Sequence, residues 1–176
     1  MKKIGGIVVS IFFCVAMADV CEAEVIRFFY PGGGIRSEYM LKDGQLNGLS
    51  KKYFENGTLM GEESYINGKL DGMMKRYDEK GTLRAEVAYV AGKRNGTATL
   101  YHENGRIKAQ CRFKDGEVDG TVKVFSPDGV LLGEGMFVNG VREGTTYLYT
   151  EQGKLRFIDV YKAGRRVSRK TGTSER

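Results

Sequence analysis

Four sets of side chains in this chain have the types that do chemistry. His102 is the only histidine. It would offer a metal ligand or a general base, but no second His and no Cys cluster accompanies it. It holds the turn-flanking place that Phe54, Asp78 and Ser126 hold elsewhere in the chain. Cys111 would offer a thiolate nucleophile, yet it replaces Glu63, Val87 and Gly135 on an expected apolar face, where a thiol is buried and inert. Glu62, Glu86 and Glu134 suggest a hydrolase carboxylate pair, but they stand in an evenly spaced column that singles out no pair and reads as a solvated face. Asn47, Asp71, Asn95, Asp119 and Glu143 suggest calcium. Successive members lie two strands apart, roughly 9.5 Å, whereas calcium ligands sit at about 2.3–2.6 Å. They read as turn residues before glycine. The sequence thus points to no catalytic, metal or cofactor-binding residues, and to a protein that is not an enzyme.

The positions of all four sets recur because the chain repeats itself. Leu49–Gly72 returns as Met73–Gly96, Thr97–Gly120, Thr121–Gly144 and Thr145–Ser168, and Val25–Gly48 precedes it in the same 24-residue register. Each copy holds two short runs of period two separated by turn signals, which predicts two antiparallel strands. Ser126-Pro127-Asp128-Gly129 has the residues of a type I turn with glycine at its end. The matching glycines Gly57, Gly81, Gly105, Gly129 and Gly153 are expected to close three-residue hairpin loops, setting Tyr53 opposite Leu59, Tyr77 opposite Leu83 and Tyr101 opposite Ile107. A second turn carries Gly68, Gly92, Gly116, Gly140 and Gly164, followed by Gly72, Gly96, Gly120 and Gly144. The expected fold is all-β: an antiparallel up-and-down meander of about twelve strands in six two-stranded repeats.

Two aromatic columns run along this array. One is Tyr53, Tyr77, Tyr101, Phe125 and Tyr149, headed by Phe29; the other is Tyr65, Tyr89, Phe113, Phe137 and Tyr161. Their first task is packing across strands, with binding as a further one. From Leu59 the alternation Gly61, Glu63, Tyr65 predicts one aromatic and aliphatic face. Glu62, Ser64, Glu86, Lys108, Gln110 and Arg112 are placed on the opposite, wet face.

The string Asn67-Gly68-Lys69-x-x-Gly72-x-x-x-x-Tyr77-x-x-x-Gly81 resembles the MORN repeat. Tyr53–Gly57 and Tyr101–Gly105, in the form Tyr-x-Glu-Asn-Gly, resemble the bacterial MORN-variant repeats, including those called antitoxin-like. The resemblance covers residues 25–168. It departs from the standard MORN unit in Tyr65-Ile66-Asn67-Gly68, where the glycine falls one residue later, which weakens any transfer of lipid binding. It implies a binding array, brings no catalytic residues, and raises the reading of an antitoxin-like partner of a toxin.

Composition bounds the rest. Among 176 residues there are 25 Gly, and most sit at fixed repeat positions, which marks turns and not low complexity. Lys2 and Lys3 precede an apolar run, Ile4–Ala18, that is shorter than the roughly 20 residues of a membrane-spanning helix. Residues 1–23 therefore read as a signal peptide, cleaved after Ala18 or Ala23, which makes the protein exported: periplasmic, envelope-associated or secreted. Cleavage after Ala23 leaves Cys111 as the sole cysteine, so no disulfide staples the array. The net charge of +6 is concentrated at the end of the chain. Arg165, Arg166, Arg169 and Lys170 form a possible anion-binding tail, with 169–176 expected to be disordered. The partner expected is another protein, with an anionic lipid or envelope surface as the alternative; export argues against nucleic acid.

Overall fold

The computed structural model describes residues 7–10 and 23–172. The expected signal peptide lies outside the described residues except for Ile7–Ser10 and Ala23. Ile7–Ser10 forms a strand antiparallel to Glu24–Phe29, with Ile7 opposite Phe28. Residues 173–176 also lie outside.

All described secondary structure is β-strand, as the period-two runs predict. The chain divides into two units. The first extends to Leu83 and takes in Tyr89–Gly92; the second takes Arg84–Ala88 and begins again at Lys93. In the first unit, Glu24–Phe29 pairs with Ile35–Lys42, and Gly48–Tyr53 pairs with Leu59–Ile66, which also pairs with Gly72–Tyr77. In the second, Lys93–Tyr101 pairs with Ile107–Lys114, Gly120–Phe125 with Leu131–Val138, and Val141–Tyr149 with Leu155–Lys162.

Two turn types alternate. The hairpin loop is the expected three-residue one. Ser126 N–H donates to Val130 O at 2.8 Å, Gly129 N–H donates to Ser126 O at 2.9 Å, and Gly129 has φ +87°. That glycine in the left-handed region ends a type I turn in a bulge, a conformation a β-branched residue resists. Tyr53 is paired with Leu59 and Tyr101 with Ile107, as predicted. The return turn is tighter than its sequence suggests. Ile66 pairs with Lys69, and Asn67 and Gly68 both have positive φ, 47° and 77°, the geometry of a two-residue type I′ turn.

Each return turn is tied to the one before it. Gly68, Gly92, Gly116, Gly140 and Gly164 donate their N–H to the carbonyls of Leu46, Leu70, Arg94, Val118 and Arg142 at 2.7–3.0 Å. The suspected calcium column caps the same turns: Asp71 accepts from Ala91 N–H, Asp119 from Asn139 N–H and Glu143 from Ala163 N–H. These carboxylates satisfy backbone donors that would otherwise lack partners. The hairpin loops have side-chain links of their own, from His102 Nε2 to Phe125 O at 2.9 Å and from Asn104 to Pro127 O at 2.7 Å.

Two expectations are corrected. The aromatic columns do not share a face. Lys52 pairs with Gly61 but Tyr53 with Leu59, so Met60 is an extra residue and the alternation breaks there. A one-residue offset moves every later side chain to the other side of the sheet. Tyr53 consequently lies with Glu38 and Tyr77 with Glu62, while Tyr65 lies with Glu63 on the opposite face. The second correction concerns the basic tail. Arg165–Thr171 is a strand paired with Leu155–Lys162, so Arg169, Lys170 and Thr171 belong to the sheet and not to a disordered end.

Candidate functional site

Face one carries the first aromatic column. The hydroxyls of Tyr53, Tyr77, Tyr101 and Tyr149 donate to Glu38, Glu62, Glu86 and Glu134, each fifteen residues earlier, at 2.8–3.4 Å. Phe125 stands in the column without a hydroxyl. Cations oppose the same carboxylates: Arg27 pairs with Glu38 at 2.7 Å and Lys123 with Glu134 at 3.8 Å. The Arg27 hydrogen bond holds Glu38 below the usual carboxylate range against the opposing effect of burial, and Tyr53 assists. Burial, reinforced by the Glu38 carboxylate, pushes Tyr53 up to about 12. In each unit these are hydrogen-bonded pairs in which the glutamates are occupied.

The other face carries a buried acid in each unit. In the first unit Glu63, 5% exposed, accepts from Tyr65 at 2.7 Å and pairs with Lys52 and Arg76. Burial raises its pKa, but Arg76, Tyr65 and Lys52 together outweigh that and hold it low. In the second unit Asp159 is fully buried under a two-point Arg169 clamp of 2.7 and 2.8 Å, with Arg166 at 3.6 Å. The Arg169 hydrogen bonds hold this carboxyl well below its usual range.

Within the second unit, pairing places Leu100 opposite Ala109, Val124 opposite Gly133 and Leu148 opposite both Gly133 and Phe157. Ala109 also faces Val124. A cross-strand row of alternating large and small side chains results. Leu100 and Val124 remain 46% and 40% exposed. Arg94 lies 4.2 Å over Phe113, and Arg142 lies over both Phe137 and Tyr161, at 5.2 and 4.8 Å.

The residues singled out for chemistry are dispersed. Burial pushes the Cys111 thiol up, with Arg94 opposing, so the thiolate is disfavoured. His102 is bonded to the carbonyl of Phe125 at the end of its strand. The repeat-turn glycines have φ from 71° to 111° at Gly57, Gly68, Gly72 and their copies. Tyr89 is half-buried. Of the basic residues, Arg166 and Arg169 are committed to Asp159, whereas Arg165 and Lys170 are exposed. Sequence reasoning missed the Asp159 site and the exposed row. Its signal was the replacement of Lys52 and Arg76 by Leu100, Val124 and Leu148 at the same repeat position.

Repeated antiparallel hairpins with the same two turns in each copy define an all-β repeat protein. The MORN repeat variant model matches residues 46–67, 70–91, 94–115 and 118–139, half of the chain, which therefore belongs to that family. MORN repeats commonly serve as protein- or membrane-binding modules. No curated protein matches the chain.

Proposed function

We propose that this chain is a non-enzymatic protein-binding scaffold, built of six 24-residue repeats over 25–168 and exported after loss of residues 1–23. The observation that carries the reading is the row containing exposed Leu100 and Val124 beside Ala109 and Gly133, a surface suited to apolar docking. The glutamates that would serve an enzyme accept hydrogen bonds from tyrosines, which supports a structural role for them.

An anionic-surface reading comes second. It is favoured by the strand Arg165–Thr171, exposed along its whole length with Arg165 and Lys170 outward. It is disfavoured by the glutamates that face the cations of the first strands. The antitoxin-like reading rests on family naming alone.

Cross-linking and affinity capture from the native host, washed at low and at high salt, tests the proposal. Salt screens exposed charge pairs over about 8–10 Å but leaves apolar docking in place. A specific protein retained through the high-salt wash is expected. Release of all bound material by salt, with recovery of anionic lipid, would refute the scaffold reading.

A further inference from the structure

Gly133 and Gly135 form the floor of a depression of about 290 Å³ in the second unit, walled by Val122, Val124, Phe137 and Leu148. The volume is at the lower limit for a small-molecule site, roughly 300 Å³, and suits a single large side chain. Three polar side chains border it, of which Glu134 is engaged by Tyr149 and Lys123 and the other two are not. Thr146 Oγ1 has no hydrogen-bond partner although the residue is only 4% exposed. A Cβ on Gly135 would stand 2.6 Å from that oxygen, so the hydroxyl overlies the glycine floor. A buried hydroxyl left unpaired is costly and is met by a ligand atom that can donate or accept. Arg142 is the second of these two. Phe137 and Tyr161 cover its guanidinium, and among the described residues no carboxylate bonds it. A planar fork held in this way matches a carboxylate.

We propose that this depression is a docking site for an acidic peptide segment of a partner protein. One large apolar side chain seats over Gly133 and Gly135, a backbone group of the segment satisfies Thr146 Oγ1, and an Asp or Glu meets Arg142. Charge complementarity selects the acid, and the buried hydroxyl selects a peptide over a lipid tail, which has no polar atom at that depth. The apolar row extends the surface to Leu100, giving a longer segment further anchors. This inference rests on the protein-binding reading above and specifies its partner.

A random peptide library displayed on phage and selected against the full chain supplies the probes. Selected peptides are then measured by fluorescence anisotropy against wild type, Val124→Asp, Arg142→Gln and Thr146→Val. Enriched sequences should carry Asp or Glu within about four residues of a large apolar side chain, one turn of helix. Affinity should fall about tenfold for Val124→Asp and Arg142→Gln, and about threefold for Thr146→Val. Thr146→Val preserves shape and removes only an unpaired hydroxyl, so it keeps the test valid if Arg142→Gln perturbs folding. Enrichment of acid-free peptides, or affinities unchanged in Val124→Asp and Thr146→Val, would overturn the site while leaving a protein-binding scaffold in place. Failure to enrich any peptide, with or without binding to phosphatidylglycerol vesicles, would overturn both.

Discussion

Arg169 lies opposite Asp159 and grips both of its carboxylate oxygens, in a repeat where Ser168 stands at the position of Gly144. In the preceding repeat Gly135 faces Thr146 and Met136 faces Glu143, so Gly144 and Thr145 are extra residues in the bulge. Gly144 has φ +71° there. At the last turn Tyr161 faces Arg166 and Val160 faces Ser168, leaving only Val167 extra. The final strand is thus offset by one residue, which turns Arg169 onto the face of Asp159. Arg169→Ala should lower the urea midpoint, because it leaves the buried Asp159 carboxylate with Arg166 as its remaining cation. A midpoint equal to wild type would show that the clamp contributes nothing.

The same pair sets an acid limit. The folded-state pKa of Asp159 is depressed below its ordinary value of 3.8, so its contribution is complete above that pH and fades as pH falls through the folded value. Tyr53 and Tyr65 behave in the opposite sense. Burial and neighbouring glutamates raise them to about 12 from 10.0, so their contribution is complete below pH 10.0 and is lost between there and about 12. In pH-dependent chemical unfolding, Asp159→Asn should flatten the acid limb and the Tyr53→Phe, Tyr65→Phe pair should flatten the alkaline limb. Limbs of unchanged slope in these variants would contradict the assignments.

Gly61 makes room for an ion pair. A Cβ there would lie 2.9 Å from the Lys75 carbonyl and against Arg76 Nη1, the guanidinium that pairs with Glu63. Gly61→Ala should therefore displace Arg76 and cost about 1–3 kcal/mol, the range for overpacking. Thermal unfolding measures it, and a melting temperature equal to wild type would mean that the guanidinium yields freely.

Ala91 and Ala163 occupy the left-handed region, both at φ +48°, where the corresponding turns use Asp43, Asn67, Asp115 and Asn139. Alanine pays about 1–2 kcal/mol in that conformation. Ala91→Asn should raise stability by about 0.5–1 kcal/mol, read as a higher urea midpoint with an unchanged slope. A lower midpoint would count against backbone strain at this turn.

What the sequence determined by itself is local. The 24-residue period, the all-β class, the hairpin glycines and the pairing of Tyr53 with Leu59 were legible because a turn is specified by a few adjacent residues. The tertiary structure decided which side chains share a face. That depends on residues such as Met60 and Val167, which no residue type marks as bulges and which become extra only when a neighbouring strand sets the register. Each one-residue offset reverses the sheet for everything beyond it. Glu62 therefore joined the tyrosines and not the wet face, and Arg169 left the expected tail to cover Asp159. The row from Leu100 to Leu148 is likewise a product of pairing, since side chains 24 residues apart become near neighbours only once the strands between them are laid side by side.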